Sequence, residues 1–138
     1  MKVSGCVFCD GDGGHVVWRD AGVRVIAPDE SDYPGLLRVV WSDHVAEMTD
    51  LGQRERERVM RVVFAVEDAA RQILSPHKMN LASFGNVVPH LHWHVIPRFR
   101  DDPHFPNAIW GARLRDRPAA IAPDFRAAIS ARLATVLA

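Results

Sequence analysis

The chain is poor in cysteine, has no long apolar run and carries no net charge, and each shortage closes off a class of function. Only two cysteines occur among its 138 residues, both close to the start, so a disulfide-stapled secreted scaffold is excluded. No stretch approaches the roughly 18–20 apolar residues that a membrane helix needs. The opening Met1-Lys2-Val3-Ser4-Gly5-Cys6 holds no apolar segment of signal-peptide length. The expectation is a cytoplasmic protein with no membrane partner, whose thiols stay reduced. Lys plus Arg total 17 and Asp plus Glu total 17, which leaves no basic field for coating nucleic acid. Internal repeats and low-complexity tracts are absent as well.

What remains is an ordinary globular composition, 48% apolar and 25% charged, in a length that suits one domain over residues 1–138. A chain of this size buries roughly 68–70% of its unfolded surface, enough for a real core. Asp10-Gly11-Asp12-Gly13-Gly14 is a loop by composition. His15–Arg19 and Val23–Ala27 form a hairpin about Asp20-Ala21-Gly22. Residues 28–35 are a second loop, and residues 36–41 a third strand rich in β formers. The period then changes. Val59, Val62, Val63, Val66, Ala70 and Ile73 follow one helix face, and the charged residues between them fill the other. Asp50 and Gln53 have the spacing of an N-cap and its capping-box partner. Ser75-Pro76 ends the helix, because proline lacks the N–H and clashes with the preceding turn. Residues 78–84 and 90–97 are two more strands. Beyond Arg98 the chain is mostly irregular, with a short terminal helix marked by Phe125, Ile129 and Leu133. Strands, then a helix, then strands argue α+β with an antiparallel sheet.

The run His90-Leu91-His92-Trp93-His94 carries the chemistry. Alternation on a strand puts the three histidines on one face and Leu91, Trp93 and Val95 on the other. Neighbouring histidines then stand about 7 Å apart, two residues at roughly 3.3 Å each. Two uses fit. Imidazoles at i and i+2 can chelate one metal ion. Alternatively, a neutral imidazole can attack phosphorus near neutral pH, given one free ring nitrogen, an acceptor that fixes the tautomer, and donors around the phosphate.

His90-Leu91-His92-Trp93-His94-Val95-Ile96 resembles the signature of the histidine-triad (HIT) family, three histidines interleaved with apolar residues. Asn80-Leu81-Ala82-Ser83-Phe84-Gly85-Asn86-Val87-Val88-Pro89 before it and Pro97-Arg98 after it extend the match. The resemblance covers residues 1–98; residues 99–138 form an extension with no comparable motif. It implies a five-stranded antiparallel sheet with one long helix and a short C-terminal helix, often paired as a homodimer. It also implies a nucleotide hydrolase or transferase that acts on dinucleoside polyphosphates or nucleoside phosphoramidates. His92 would form the nucleotidyl-histidine intermediate at the α-phosphorus, and His94 would hold the phosphate. Asn80 matches an asparagine at the nucleotide site, and Asn86 stands where many members carry glutamine. Asp29, one place out of register, is the candidate for the ribose hydroxyls. The Gly-His of many members is Gly35-Leu36 here.

Cys6-Val7-Phe8-Cys9 is a CxxC followed by a glycine-rich loop rather than opening a helix, which argues against a redox role. Some HIT relatives bind zinc through such a pair with two histidines, which correspond here to His44 and His90. The resemblance thus implies structural zinc on Cys6, Cys9, His44 and His90, leaving His92 free and requiring no catalytic cofactor. His15, His77 and His104 read as surface or loop residues, and Arg98 and Arg100 as solvated, with a polyphosphate tail within reach as the alternative. Trp18, Phe8 and Ile26 suit either core or a base pocket, and Trp110 has no motif to place it. The reading is a diadenosine polyphosphate hydrolase-like enzyme with a small-molecule nucleotide as partner. The alternatives are a nucleotidyltransferase or phosphorylase, a non-catalytic nucleotide- or zinc-binding module, and a hydrolase with zinc on His92 and His94.

Overall fold

The computed structural model describes residues 1–118 and 120–138. Five strands make one antiparallel sheet: β1 (His15–Arg19), β2 (Val23–Ala27), β3 (Leu37–Trp41), β4 (Lys78–Ala82) and β5 (His92–Arg98), in the order β1-β2-β3-β5-β4. A one-turn helix α1 (Val7–Asp10) precedes them, α2 (Gln53–Leu74) joins β3 to β4, and α3 (Phe125–Val136) closes the chain. This is the expected α+β architecture, with the long helix and the short terminal one. No helix among the described residues is long and apolar enough to cross a membrane.

The local reasons are mostly those the sequence offers. The β1–β2 turn is held by Asp20, whose Oδ1 accepts from the N–H groups of Gly22 and Val23, both at 2.9 Å. The apolar face of α2 buries Val59, Val62, Val63, Val66 and Ala70 against β3 and β5, and α3 docks on α2 and β1 through Phe125, Ile129 and Leu133. Burying a side chain of this kind contributes about 1.5–3 kcal/mol, so these two helices fix the back of the sheet. Leu91 and Val95 point into the same core, which sends His92 and His94 to the opposite face.

Several boundaries differ from expectation, while α2 does end at Ser75-Pro76. Asp50 does not cap α2; its Oδ2 accepts from the Glu47 N–H at 2.9 Å and closes a 3-10 turn, Met48–Asp50. The long helix starts after Gly52, whose N–H donates to Glu55 at 2.7 Å, so two short capping motifs stand where one was expected. At the other end Ser75 takes a left-handed φ of 46° before Pro76. β4 stops at Ala82, and β5 starts at His92, so His90 lies just outside the strand. There the chain bonds to its neighbours through Leu91, whose N–H donates to Val45 at 2.7 Å and whose carbonyl accepts from Trp41 at 3.1 Å. Finally, the cysteine pair does open a helix, a single turn with Cys6 at its N-cap and Cys9 inside it, before the expected glycine-rich loop.

Candidate functional site

Two sites sit back to back around the start of β5. The first gathers Cys6, Cys9, His44 and His90, whose ligand atoms all lie within 4.8 Å of one another. His90 Nδ1 is 3.3 Å from Cys6 Sγ and 3.5 Å from Cys9 Sγ, and His44 Nδ1 is 3.5 Å from Cys9 Sγ. Tetrahedral zinc with bonds of about 2.0–2.3 Å would separate its ligands by roughly 3.3–3.8 Å, so the donor set fits the ion in type, number and spacing. His90 Nε2–H donates to the Trp41 carbonyl at 2.6 Å. A carbonyl can only accept, so the proton is on Nε2 and the Nδ1 lone pair faces the sulfurs, a backbone-fixed tautomer of the kind metal sites use. Arg24, nearly fully buried, holds this N-terminal turn on the sheet by donating to the carbonyls of Phe8 (2.8 Å), Asp12 (3.1 Å) and Gly11 (3.2 Å).

The second site is a cavity of ≈ 290 Å³ whose lining includes Phe8, Arg38, Phe84, His92, His94 and Trp110. His92 Nδ1–H donates to the His90 carbonyl at 2.6 Å. The same argument leaves Nε2 with the lone pair. Burial lowers the His92 pKa, against the opposing pull of the His90 carbonyl. His94 is pushed down to about 4, by burial first and then by His92, so it is neutral at pH 7. Its Nε2–H reaches the Phe84 carbonyl at 3.4 Å, while its Nδ1 is buried without a partner. The two imidazoles lie edge to face, ring centres 4.9 Å apart. Gly13 also borders the cavity, at φ +86°, and a Cβ there would come within 2.5 Å of the Phe8 ring. Only glycine lets Phe8 serve as a wall.

The remaining expected residues divide. Asn86 is exposed and lines a small adjoining cleft with Ser83, Gly85, His90 and His92. Asn80 shares the face of the histidines but its Oδ1 accepts from Arg98 Nη1 at 2.8 Å, and it does not line the cavity. Asp29 is exposed, 3.6 Å from Arg126, and borders a different, larger hollow of ≈ 460 Å³ under the N-terminus of α3. That hollow holds none of the histidines. Of the three base-pocket candidates, Phe8 lines the cavity, Ile26 packs behind it, and Trp18 packs against the main core.

Two expectations are overturned from the end of β5 onward, and Trp110 finds its place. Arg98 is not solvated: it is 2% exposed and forms a two-pronged ion pair with the fully buried Asp102 at 2.8 and 3.1 Å. Burial pushes the Asp102 carboxyl up, but Arg98 and the N–H groups of Phe99, His104 and Phe105 pull it down further, to about 2. His104 is buried, 2.6 Å from the Tyr33 hydroxyl. Trp110, which no motif placed, stacks on Phe84 with ring centres 4.6 Å apart and meets His94 at 4.9 Å. The Arg98–Asp102 pair pins the segment that carries Trp110 over the cavity. The i,i+4 spacing of the pair was the available signal; the position of Trp110 left none.

Comparison with known proteins agrees with this geometry. The sequence is 30% identical over 87 residues to the AP-4-A phosphorylase of Mycobacterium tuberculosis, covering 59% of this chain and 45% of that one, so the chain spans just under half of that relative's length. A histidine triad protein from Bradyrhizobium japonicum superposes with a TM-score of 0.75 at 25% identity, over 88% of this chain and 91% of that one. A Zn-bound histidine triad family protein from Mycobacterium smegmatis superposes with a TM-score of 0.68 at 24% identity, over 96% and 95% of the two chains. The HIT domain family itself matches residues 13–101; with the five-stranded sheet and the histidine run it contains, the chain belongs to the HIT family.

Proposed function

We propose that this protein is a nucleotidyl-transferring enzyme in which His92 is the nucleophile. One observation carries the proposal: the 2.6 Å bond from His92 Nδ1–H to the His90 carbonyl leaves Nε2 unprotonated in a residue lining a ligand-sized cavity. Nε2 attacks the α-phosphorus of a dinucleoside polyphosphate or a nucleoside phosphoramidate. The P–N(His) bond forms as the P–O or P–N bond to the leaving group breaks. The leaving group takes the electron pair and a proton from solvent, while His92 keeps its Nδ1–H. An acceptor then attacks the nucleotidyl-histidine and returns His92 to its starting state. His94 turns its Nε2–H from the Phe84 carbonyl, 3.4 Å away, to the phosphoryl oxygens in this scheme, and Asn86, in the cleft beside His92, contacts the phosphate or the leaving group. Asn80 acts on the nucleotide through Arg98 or after exchanging that partner, and Asp29 reaches a ribose only across the neighbouring hollow.

Water as acceptor makes the enzyme a hydrolase. Inorganic phosphate makes it a phosphorylase, a reading favoured by the name of the M. tuberculosis relative. Cys6, Cys9, His44 and His90 would hold zinc, which when bound ties the N-terminal turn and the end of β3 to the active strand. The domain is residues 1–138 taken together, since 99–138 supplies Trp110 and α3, and it works as a cytoplasmic homodimer. The test is AMP release from diadenosine tetraphosphate and adenosine phosphoramidate by wild type and His92→Ala, with and without phosphate. Loss of at least roughly a thousandfold in the variant is expected. ADP formed only with phosphate identifies the phosphorylase. Two inert proteins that both bind AMP would instead mark a nucleotide-binding module.

A further inference from the structure

Arg38 has no role in the scheme above, and its position is unusual. It stands in the middle of β3, within the apolar run Leu36-Leu37-Arg38-Val39-Val40, where a charged side chain has to be accounted for. The register places it directly opposite His94, with Val40 opposite His92, so its side chain emerges on the histidine face. It lines the same cavity as both histidines, and among the described residues lining that cavity it is the one with a permanent charge. No carboxylate pairs with it among the described residues. Its Nε is buried with no hydrogen-bond partner, and among the described residues the other buried side-chain nitrogen in that condition is Nδ1 of His94.

An unsatisfied guanidinium N–H in a residue that lines a cavity marks a place where a ligand supplies the missing acceptor, because an unmade buried hydrogen bond is costly; Nδ1 of His94, with its proton on Nε2, lacks a donor instead. A guanidinium asks for an anionic, multi-oxygen group, which it can bind through two parallel N–H bonds. We propose that Arg38 is a further phosphate-binding residue of this site: its guanidinium binds the non-bridging oxygens of the phosphoryl group beside His94 and makes the cavity selective for nucleotides over nucleosides. This rests on the reading of the cavity as a nucleotide site but not on turnover. Electrostatically, attack by a neutral histidine adds negative charge to those oxygens, and a fixed cation beside them stabilises that charge where it develops.

The experiment is calorimetric binding of AMP and of adenosine to the wild-type protein, Arg38→Met and Arg38→Lys, with thermal unfolding of all three. Methionine keeps the length and apolar packing of the stem and removes the charge. The expected result is a loss of about tenfold to a hundredfold in AMP affinity for Arg38→Met. Adenosine binding should be unchanged, and Arg38→Lys should recover part of the loss. AMP binding by Arg38→Met equal to wild type overturns the proposal, as does an equal loss for AMP and adenosine, which would mean a packing role. If wild type binds neither ligand, the proposal and the nucleotide site fall together. If AMP binding depends on Arg38 while no substrate is turned over, the anion site stands and only the covalent mechanism fails.

Discussion

His90 and His92 are two residues apart, identical in type and both buried, yet the structure gives them opposite circumstances. Each donates one N–H to a main-chain carbonyl at 2.6 Å, His90 from Nε2 to Trp41 and His92 from Nδ1 to His90. The first choice aims Nδ1 at two cysteine sulfurs; the second leaves Nε2 uncommitted in a residue of the cavity. Around His90 the polar atoms are mutually engaged, with four ligand atoms gathered within 4.8 Å. Around His92 they are not: Arg38 and His94 each keep a buried nitrogen without a partner. A donor set that closes on itself is built to hold something permanently, whereas unsatisfied groups around a cavity await a visitor. Which carbonyl an imidazole finds, rather than the histidine itself, separates the two roles.

The sharpest way to break this comparison is substitution on either side of it. His92→Ala should reduce turnover at least roughly a thousandfold, about 4 kcal/mol in transition-state stabilisation, with a melting temperature close to wild type. An equally large effect on stability would place His92 with the structural cluster.

Next in size is the buried pair behind Trp110. Asp102→Ala leaves the Arg98 guanidinium uncompensated and should cost about 3–5 kcal/mol in urea unfolding. A value near zero would show that the segment over the cavity is held by other contacts.

The pH dependence tests the cavity directly. With His94 at about 4 when folded and near 6.5 when unfolded, the unfolded chain binds the extra proton between those values. Stability is therefore full above about pH 6.5 and falls as pH drops toward 4, by on the order of 3 kcal/mol. His94→Gln should flatten that slope, and an unchanged slope would place the titration elsewhere.

The smallest effect belongs to the cluster. Zinc content measured on the purified protein, followed by chelation or Cys6→Ser, should lower the melting temperature by roughly 5 °C. Activity per folded molecule should stay within about twofold. Activity that vanished at once while the fold persisted would move the metal into the chemistry.

How much of this was legible in the sequence depended on whether neighbours in the chain were neighbours in the fold. The hairpin, α2 and α3 follow from short-range periodicity, and Val59 through Ala70 and Phe125, Ile129 and Leu133 lie where the period puts them. His92 and His94 were legible because strand alternation is also local. The clustering of Cys6 and Cys9 with His44 and His90 followed only from resemblance to relatives, since 84 residues separate its ends. Arg98, His104 and Trp110 are not legible because the chain around them, residues 98–118, has no period to read: Arg98 is buried by its ion pair with Asp102, His104 by its contact with Tyr33, and Trp110 stays partly exposed on Phe84. Arg38 carries one local signal, a charge interrupting an apolar strand; its place opposite His94 comes from the long-range register of β3 and β5.

The central claim is that His92 Nε2 forms a bond to phosphorus. The most direct measurement mixes the protein with diadenosine tetraphosphate for less than one turnover, quenches in base, where a phosphoramidate survives, and maps the peptides by mass spectrometry. The account predicts one nucleotidyl group on the peptide containing residues 90–94, placed at His92 by fragmentation and absent in His92→Ala. Turnover with no labelled peptide, or with the label on His94 or another residue, would contradict it.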